Sequence, residues 1–272
     1  MRRAVRRLRV GERFLDAYEV LAPLGGYGGQ VDLWQARAAD GREVVVEITT
    51  VDLGDPSGAW LRPLEDSPNL LDHPGVVRVF DWGRDPGTDA LFVVTERLVG
   101  RTLGGLGPLP AGEPWALAAD LAEALGVAHE RRLVHGRVTP EHVVVEPSGR
   151  ARLLPPAGLA DWPGFTTTGL PRGGPYLAPE VVRGRPRTAR TDVYGLAATL
   201  YQALCGRPPL SGRTTLDLTR AICEQAPEPP SLLRPGLRMV VSVALERALA
   251  KAPEDRFPDV ASFLTVLRQG LA

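Results

Sequence analysis

The hydrophobic pattern changes character near residue 98. Before it, short β-branched runs are bounded by turn formers: Val44, Val45 and Val46 follow the turn at Asp40-Gly41, and residues 76–80 follow His73-Pro74-Gly75. Such runs predict strands. Beyond it the period lengthens, and Leu117, Leu121 and Leu125 recur at four-residue spacing through an alanine-rich segment. That spacing predicts a helix whose single apolar face packs into the core. Residues 99–113 are rich in Gly and Pro and read as a connector. The pattern predicts a basic tail over 1–11, a β-rich part over 12–98 and a mainly helical part over 99–272, an α+β chain.

Composition narrows the setting. With 272 residues and 44% hydrophobic content the chain can bury a full core. No apolar run is long enough to cross a bilayer and no signal-peptide core is present, so no transmembrane segment is expected. Two cysteines, Cys205 and Cys223, fit a reducing compartment as small buried hydrophobes, and a cytoplasmic location is expected. Five arginines stand in the first nine residues of a chain with zero formal net charge. They read as a solvated basic tail, with acidic lipid, nucleic acid or an acidic partner as the alternatives; no nucleic-acid partner is expected. The four histidines, His73, His129, His135 and His142, have no metal-site spacing.

Seven stretches stand in a telling order. Residues 24–36 read LGGYGGQVDLWQA, 42–48 REVVVEI, 91–100 LFVVTERLVG, 133–145 LVHGRVTPEHVVV, 175–184 PYLAPEVVRG, 191–210 TDVYGLAATLYQALCGRPPL and 251–257 KAPEDRF. Together they resemble the successive motifs of the bacterial Hanks-type Ser/Thr protein kinase family. The resemblance implies a two-lobed protein-kinase-like fold with a β-rich first lobe and a helical second lobe. It puts Gly26 and Gly28 on the first two glycines of the phosphate loop and Val31 on the third. Thr95 becomes the gatekeeper, Glu96 to Leu98 the hinge, and Leu33, Val45 and Val144 the apolar contacts of an adenine. It gives His135, Asp192, Glu180 and Arg256 structural roles, with Glu180 paired to Arg256.

The residues that do chemistry in that family are missing. Its catalytic loop, H-R-D-x-K-P-x-N, uses the Asp as general base and the Asn to hold a metal ion. Here Gly136 replaces the Arg, Arg137 the Asp, Thr139 the Lys and His142 the Asn, while His135, Pro140 and Glu141 keep the frame. A guanidinium stays protonated and cannot serve as base. The only lysine is Lys251, late in the chain, and Glu47 stands on the third strand where the phosphate-binding lysine belongs. A carboxylate there repels a triphosphate. Pro156 replaces the metal-binding Asp of the D-F-G triplet, with Asp161, the nearest acid, read as a solvated loop residue, and Gly173 replaces a Thr that bonds the catalytic Asp and Lys. A charge-swapped pair of Glu47 with Arg62 remains an alternative to a water-facing Glu47.

The expectation is therefore a pseudokinase, a catalytically inactive regulatory or scaffolding module that binds a protein partner, an active kinase among the candidates. No cofactor is expected, ATP binding is expected to be weak or absent, and no Mg site is expected. Thr166, Thr167 and Thr168 lie in the activation segment as candidate phosphoacceptors that would recruit a phosphopeptide-reading domain, against the plainer reading of a polar loop. Two alternatives stay open: a weak or atypical ATP-dependent Ser/Thr kinase or other transferase, and a nucleotide-sensing pseudokinase.

Overall fold

The computed structural model describes residues 7–27, 31–49, 73–88, 90–109, 113–154 and 174–270. They fall into two compact units, one including the described residues up to position 49 and Val77–Leu98, the other including His73–Val76, Val99–Leu154 and residues 174–270.

The first unit is a six-stranded antiparallel sheet in the order β1-β2-β3-β4-β6-β5, formed by β1 (Arg13–Phe14), β2 (Tyr18–Tyr27), β3 (Val31–Ala38), β4 (Glu43–Thr49), β5 (Val79–Arg84) and β6 (Leu91–Glu96). Alternation along β4 decides its two faces. Val44, Val46 and Ile48 are fully buried in a cluster with Phe14, Val20, Ala36, Phe92 and Val94. Phe14 meets Phe92 edge-on, ring centres 5.2 Å apart. Leu8 is 3% exposed in the same cluster, so the stretch expected as a solvated tail over 1–11 contributes an apolar anchor. The arginines around it dominate the composition and hide that one leucine. The strand expected over 76–80 begins three residues late, and Val76 instead makes an isolated parallel bridge to Leu153.

That bridge ties His73–Val76, inside the span expected for the β-rich part, to the second unit. The Leu153 N–H donates to the Gly75 carbonyl at 2.8 Å, and His73 approaches Glu123 at 3.6 Å. The second unit carries a small sheet in the order β7-β8-β9, of β7 (Arg101–Thr102), β8 (Val143–Val145) and β9 (Ala151–Leu153). The expected connector thus holds a strand, and its Leu103 is buried.

Helices make up the rest: α1 (Glu113–Glu130), α2 (Pro179–Val182), α3 (Ala189–Cys205), α4 (Thr215–Glu224), α5 (Pro230–Leu233), α6 (Met239–Ala248) and α7 (Val260–Gln269). Leu117, Leu121 and Leu125 of α1 are all buried, as their spacing predicts. The central helix is α3, buried almost throughout and closed at both ends. Thr188 and Thr191 form a capping box at its start, and Gly206 at φ 73° ends it in the left-handed conformation glycine tolerates best. Among the described residues no helix is long and apolar enough to cross a membrane.

Candidate functional site

In the second unit the loop leading into β8 is assembled on one carboxylate. Asp192, in the first turn of α3 and fully buried, accepts from the His135 N–H at 2.9 Å and the Gly136 N–H at 2.6 Å. It also accepts from His129 Nε2 at 2.7 Å. Three donors on one buried carboxylate fix the loop's path. His135 extends the frame: its Nδ1 accepts from the Arg137 N–H at 3.2 Å, which leaves Nε2 to donate to the Leu154 carbonyl at 2.9 Å. Val138 meets α3 where Gly195 lets the backbones close; a Cβ on Gly195 would lie 2.9 Å from the Val138 carbonyl oxygen.

The four substituted positions sit inside this frame. Arg137 is 9% exposed and Thr139 1%. Thr139 Oγ1 lies 2.8 Å from His142 Nδ1, and the His142 ring stands edge-on to His135 with centres 6.0 Å apart. Gly136 has φ 71°, and a Cβ there would fall 2.5 Å from Arg187 Cδ. The exposed end of Arg187 lies over the glycine and would have to move to admit a side chain, and the left-handed φ is the feature that favours glycine here. A divalent cation does not fit this loop. The base position carries a guanidinium, and the imidazole nitrogen of His142 nearest the loop is engaged by Thr139. Among the described residues no group of three or more His, Cys, Asp or Glu could hold a metal ion.

In the first unit the strand register gathers a second set. Leu33, Glu47 and Val93 oppose one another across β3, β4 and β6, and Gln35, Val45 and Thr95 form the next row on the same sheet face. Glu47 is half-buried on that face. Gly26 is demanded by contact, since a Cβ would meet the Val31 carbonyl oxygen at 2.3 Å. Val31 is fully buried. At the end of β6, the Glu96 N–H donates to the Arg78 carbonyl at 2.9 Å and the Glu96 Oε1 accepts from the Arg78 N–H at 2.8 Å. Leu98 follows, half-buried. Val144, 9% exposed on β8, belongs to the second unit. Gly28, Arg62, Pro156, Asp161, Thr166, Thr167, Thr168 and Gly173 lie outside the described residues.

Behind the loop, Arg256 donates from Nη1 and Nη2 to the two carboxylate oxygens of Glu180, both at 2.8 Å. Thr191 Oγ1 donates to the same carboxylate at 2.8 Å. Arg256 Nε reaches the Ala250 carbonyl at 2.8 Å, and the guanidinium lies 4.9 Å from the Tyr194 ring centre. Burial alone would raise the Glu180 carboxyl, but the hydrogen bonds and charge of Arg256, with Thr191, hold it below the usual carboxylate range. Sequence reasoning assigned Glu180 to Arg256. It missed Thr191 and the His129 contact with Asp192, because a threonine in a helix start and a lone histidine carry no motif of their own.

The model of the protein kinase domain family matches residues 66–256. Serine/threonine-protein kinase PknB of Mycobacterium leprae is 30% identical over 259 residues, 90% of this chain and 42% of that protein. A probable serine/threonine-protein kinase of Corynebacterium efficiens is 30% identical over 266 residues, 90% of this chain and 40% of that protein. The chain spans about two-fifths of the length of the curated relatives it matches. The crystal structure of the Mycobacterium tuberculosis PknI kinase domain superposes with a TM-score of 0.76 at 25% identity, covering 97% of this chain and 99% of that one. On these grounds the chain belongs to the protein kinase domain family, among the bacterial Hanks-type serine/threonine kinases.

Proposed function

We propose that this chain is a pseudokinase, a kinase-like module that regulates or scaffolds a protein partner in the cytoplasm and transfers no phosphate. The observation that carries this reading is Arg137, a cation buried in an otherwise intact loop frame at the place of the family's general base. Loss of a general base typically removes about 10² to 10⁴ in rate. Glu47 supports the reading from the first unit, where a carboxylate on the third strand disfavours a nucleotide's phosphates. No cofactor is required for such a role, and ATP binding is weak or absent. The kept frame offers a rigid surface for an active kinase, and a phosphothreonine at Thr166, Thr167 or Thr168 would recruit a phosphopeptide-reading domain.

The relatives' names favour a second reading, a weak or atypical protein Ser/Thr kinase. Thermal unfolding with ATP, with and without magnesium or manganese, followed by a radiolabel transfer assay, separates the two. A ligand at about a hundred times its dissociation constant adds ~2.7 kcal/mol, which raises the midpoint of a domain this size by about 5–10 °C. No shift and no transfer are expected. A metal-dependent shift with transfer would replace the pseudokinase by the enzyme, and a shift without transfer would make it a nucleotide sensor.

A further inference from the structure

At one corner of the second unit large apolar side chains stand in water. Met239 and Val243 lie one turn apart on α6 and are 65% and 55% exposed, and Leu232 on α5 is 71% exposed. Ser231 joins the two helices: its N–H donates to Ser242 Oγ at 3.2 Å, which brings the turn that carries Leu232 against the turn that carries Met239 and Val243. The adjoining side of α6 is covered by the end of α7, where a Cβ on Gly270 would lie 2.4 Å from Val241 Cγ2 and 3.0 Å from Val240 Cγ1. The charges around the exposed stripe have one sign. Arg238 precedes Met239, Arg247 continues the stripe one turn beyond Val243, and both are exposed. Among the described residues neither meets a carboxylate; Arg247 lies over the Phe257 ring, 4.3 Å from its centre. The acid on this helix, Glu246, accepts from the Ser242 hydroxyl at 2.8 Å. No side chain caps the start of α6 and its first turn holds no acid, which leaves the positive end of the helix dipole without a counter-charge.

Exposed apolar groups bordered by cations without counterions suit a partner with the complementary arrangement. We propose that α5 and α6 form a docking surface for an acidic amphipathic helix of a protein partner. Its apolar side chains, at three- and four-residue spacing, cover Leu232, Met239 and Val243, and its carboxylates meet Arg238, Arg247 and the open start of α6. The stripe from Met239 to Arg247 runs about 12 Å, a little over two turns, a length that a helix laid alongside matches. A second copy of this chain would bring the same cations to the patch where carboxylates are called for, and like charges oppose that pairing. The surface goes beyond the pseudokinase reading and stands whether or not the chain transfers phosphate.

The test pans the folded chain against phage-displayed helices of about four turns, leucine along one face and Glu, Gln or Lys free to vary at the flanking positions. Clones enriched on the parent are expected to carry Glu over Lys, and to bind the double variant Met239→Glu with Val243→Glu about tenfold more weakly. The double variant Arg238→Glu with Arg247→Glu is expected to turn the selection toward Lys. All four positions are exposed, and circular dichroism checks that each variant is folded. No enrichment on the parent, equal selection of Glu and Lys, or enriched clones that bind the apolar double variant as well as the parent would overturn the proposal. Light scattering over a concentration series completes the test. A monomer is expected, and a dimer dispersed by Met239→Glu with Val243→Glu would give the face to a second copy and overturn the acidic helix.

Discussion

Glu180 shows how much one side chain carries here. It is 4% exposed, and its charge is matched by a bidentate guanidinium and a threonine hydroxyl. Glu180→Gln leaves Arg256 as a buried charge without its counterion, a loss of about 3–5 kcal/mol in urea unfolding. The pH dependence has a definite sign. Because the folded-state carboxyl is held below its ordinary value of 4.5, its contribution is fully present above about that pH and fades as pH falls below it. The gap in melting temperature between the parent and Glu180→Gln is expected to be constant at neutral pH and to narrow on acidification below 4.5. A gap that stayed constant to the acid limit would mean Glu180 is not the group that titrates.

At the scale of elements, the loop frame and α3 act as one piece. Asp192 sits in the first turn of α3, where a carboxylate also favours the helix dipole, and it receives donors from two successive residues of the loop and from α1. Asp192→Asn turns one acceptor oxygen into an amide facing N–H donors. A loss of about 2–4 kcal/mol follows, with the loop before β8 losing amide-exchange protection together with the start of α3. Full protection retained in that loop would show that packing of Val138 against Gly195 holds it without the carboxylate. The elements also show what was readable beforehand. The α1 stripe and the β4 alternation are periodic and local, so the sequence discloses them. The anchor at Leu8, the strand inside the 99–113 stretch and the attachment of His73–Val76 to the second unit depend on partners far away in the chain.

For the whole molecule, family membership and chemical competence are separate properties. The second unit is held by Asp192, Glu180, Arg256 and the packed helices. On the pseudokinase proposal, the substituted positions are spread over both units, and no single reversal is expected to rebuild a phosphate site. Arg137→Asp and Glu47→Lys, made singly, are each expected to yield no radiolabel transfer from ATP. Transfer by either single variant would place the block at one residue and overturn the reading of a site degraded at several positions.

The sequence by itself determined the family, the α+β class, the apolar face of α1 and the partnership of Glu180 with Arg256. Those follow from residue identity and spacing, which survive translation into any fold of the family. Tertiary structure alone decided the left-handed backbone at Gly136, since only folding hangs the loop on the buried Asp192. It alone gave Asp192 its third donor in His129. Hydrogen bonds and burial between residues distant in sequence have no local pattern to read; they exist only once the chain has closed on itself.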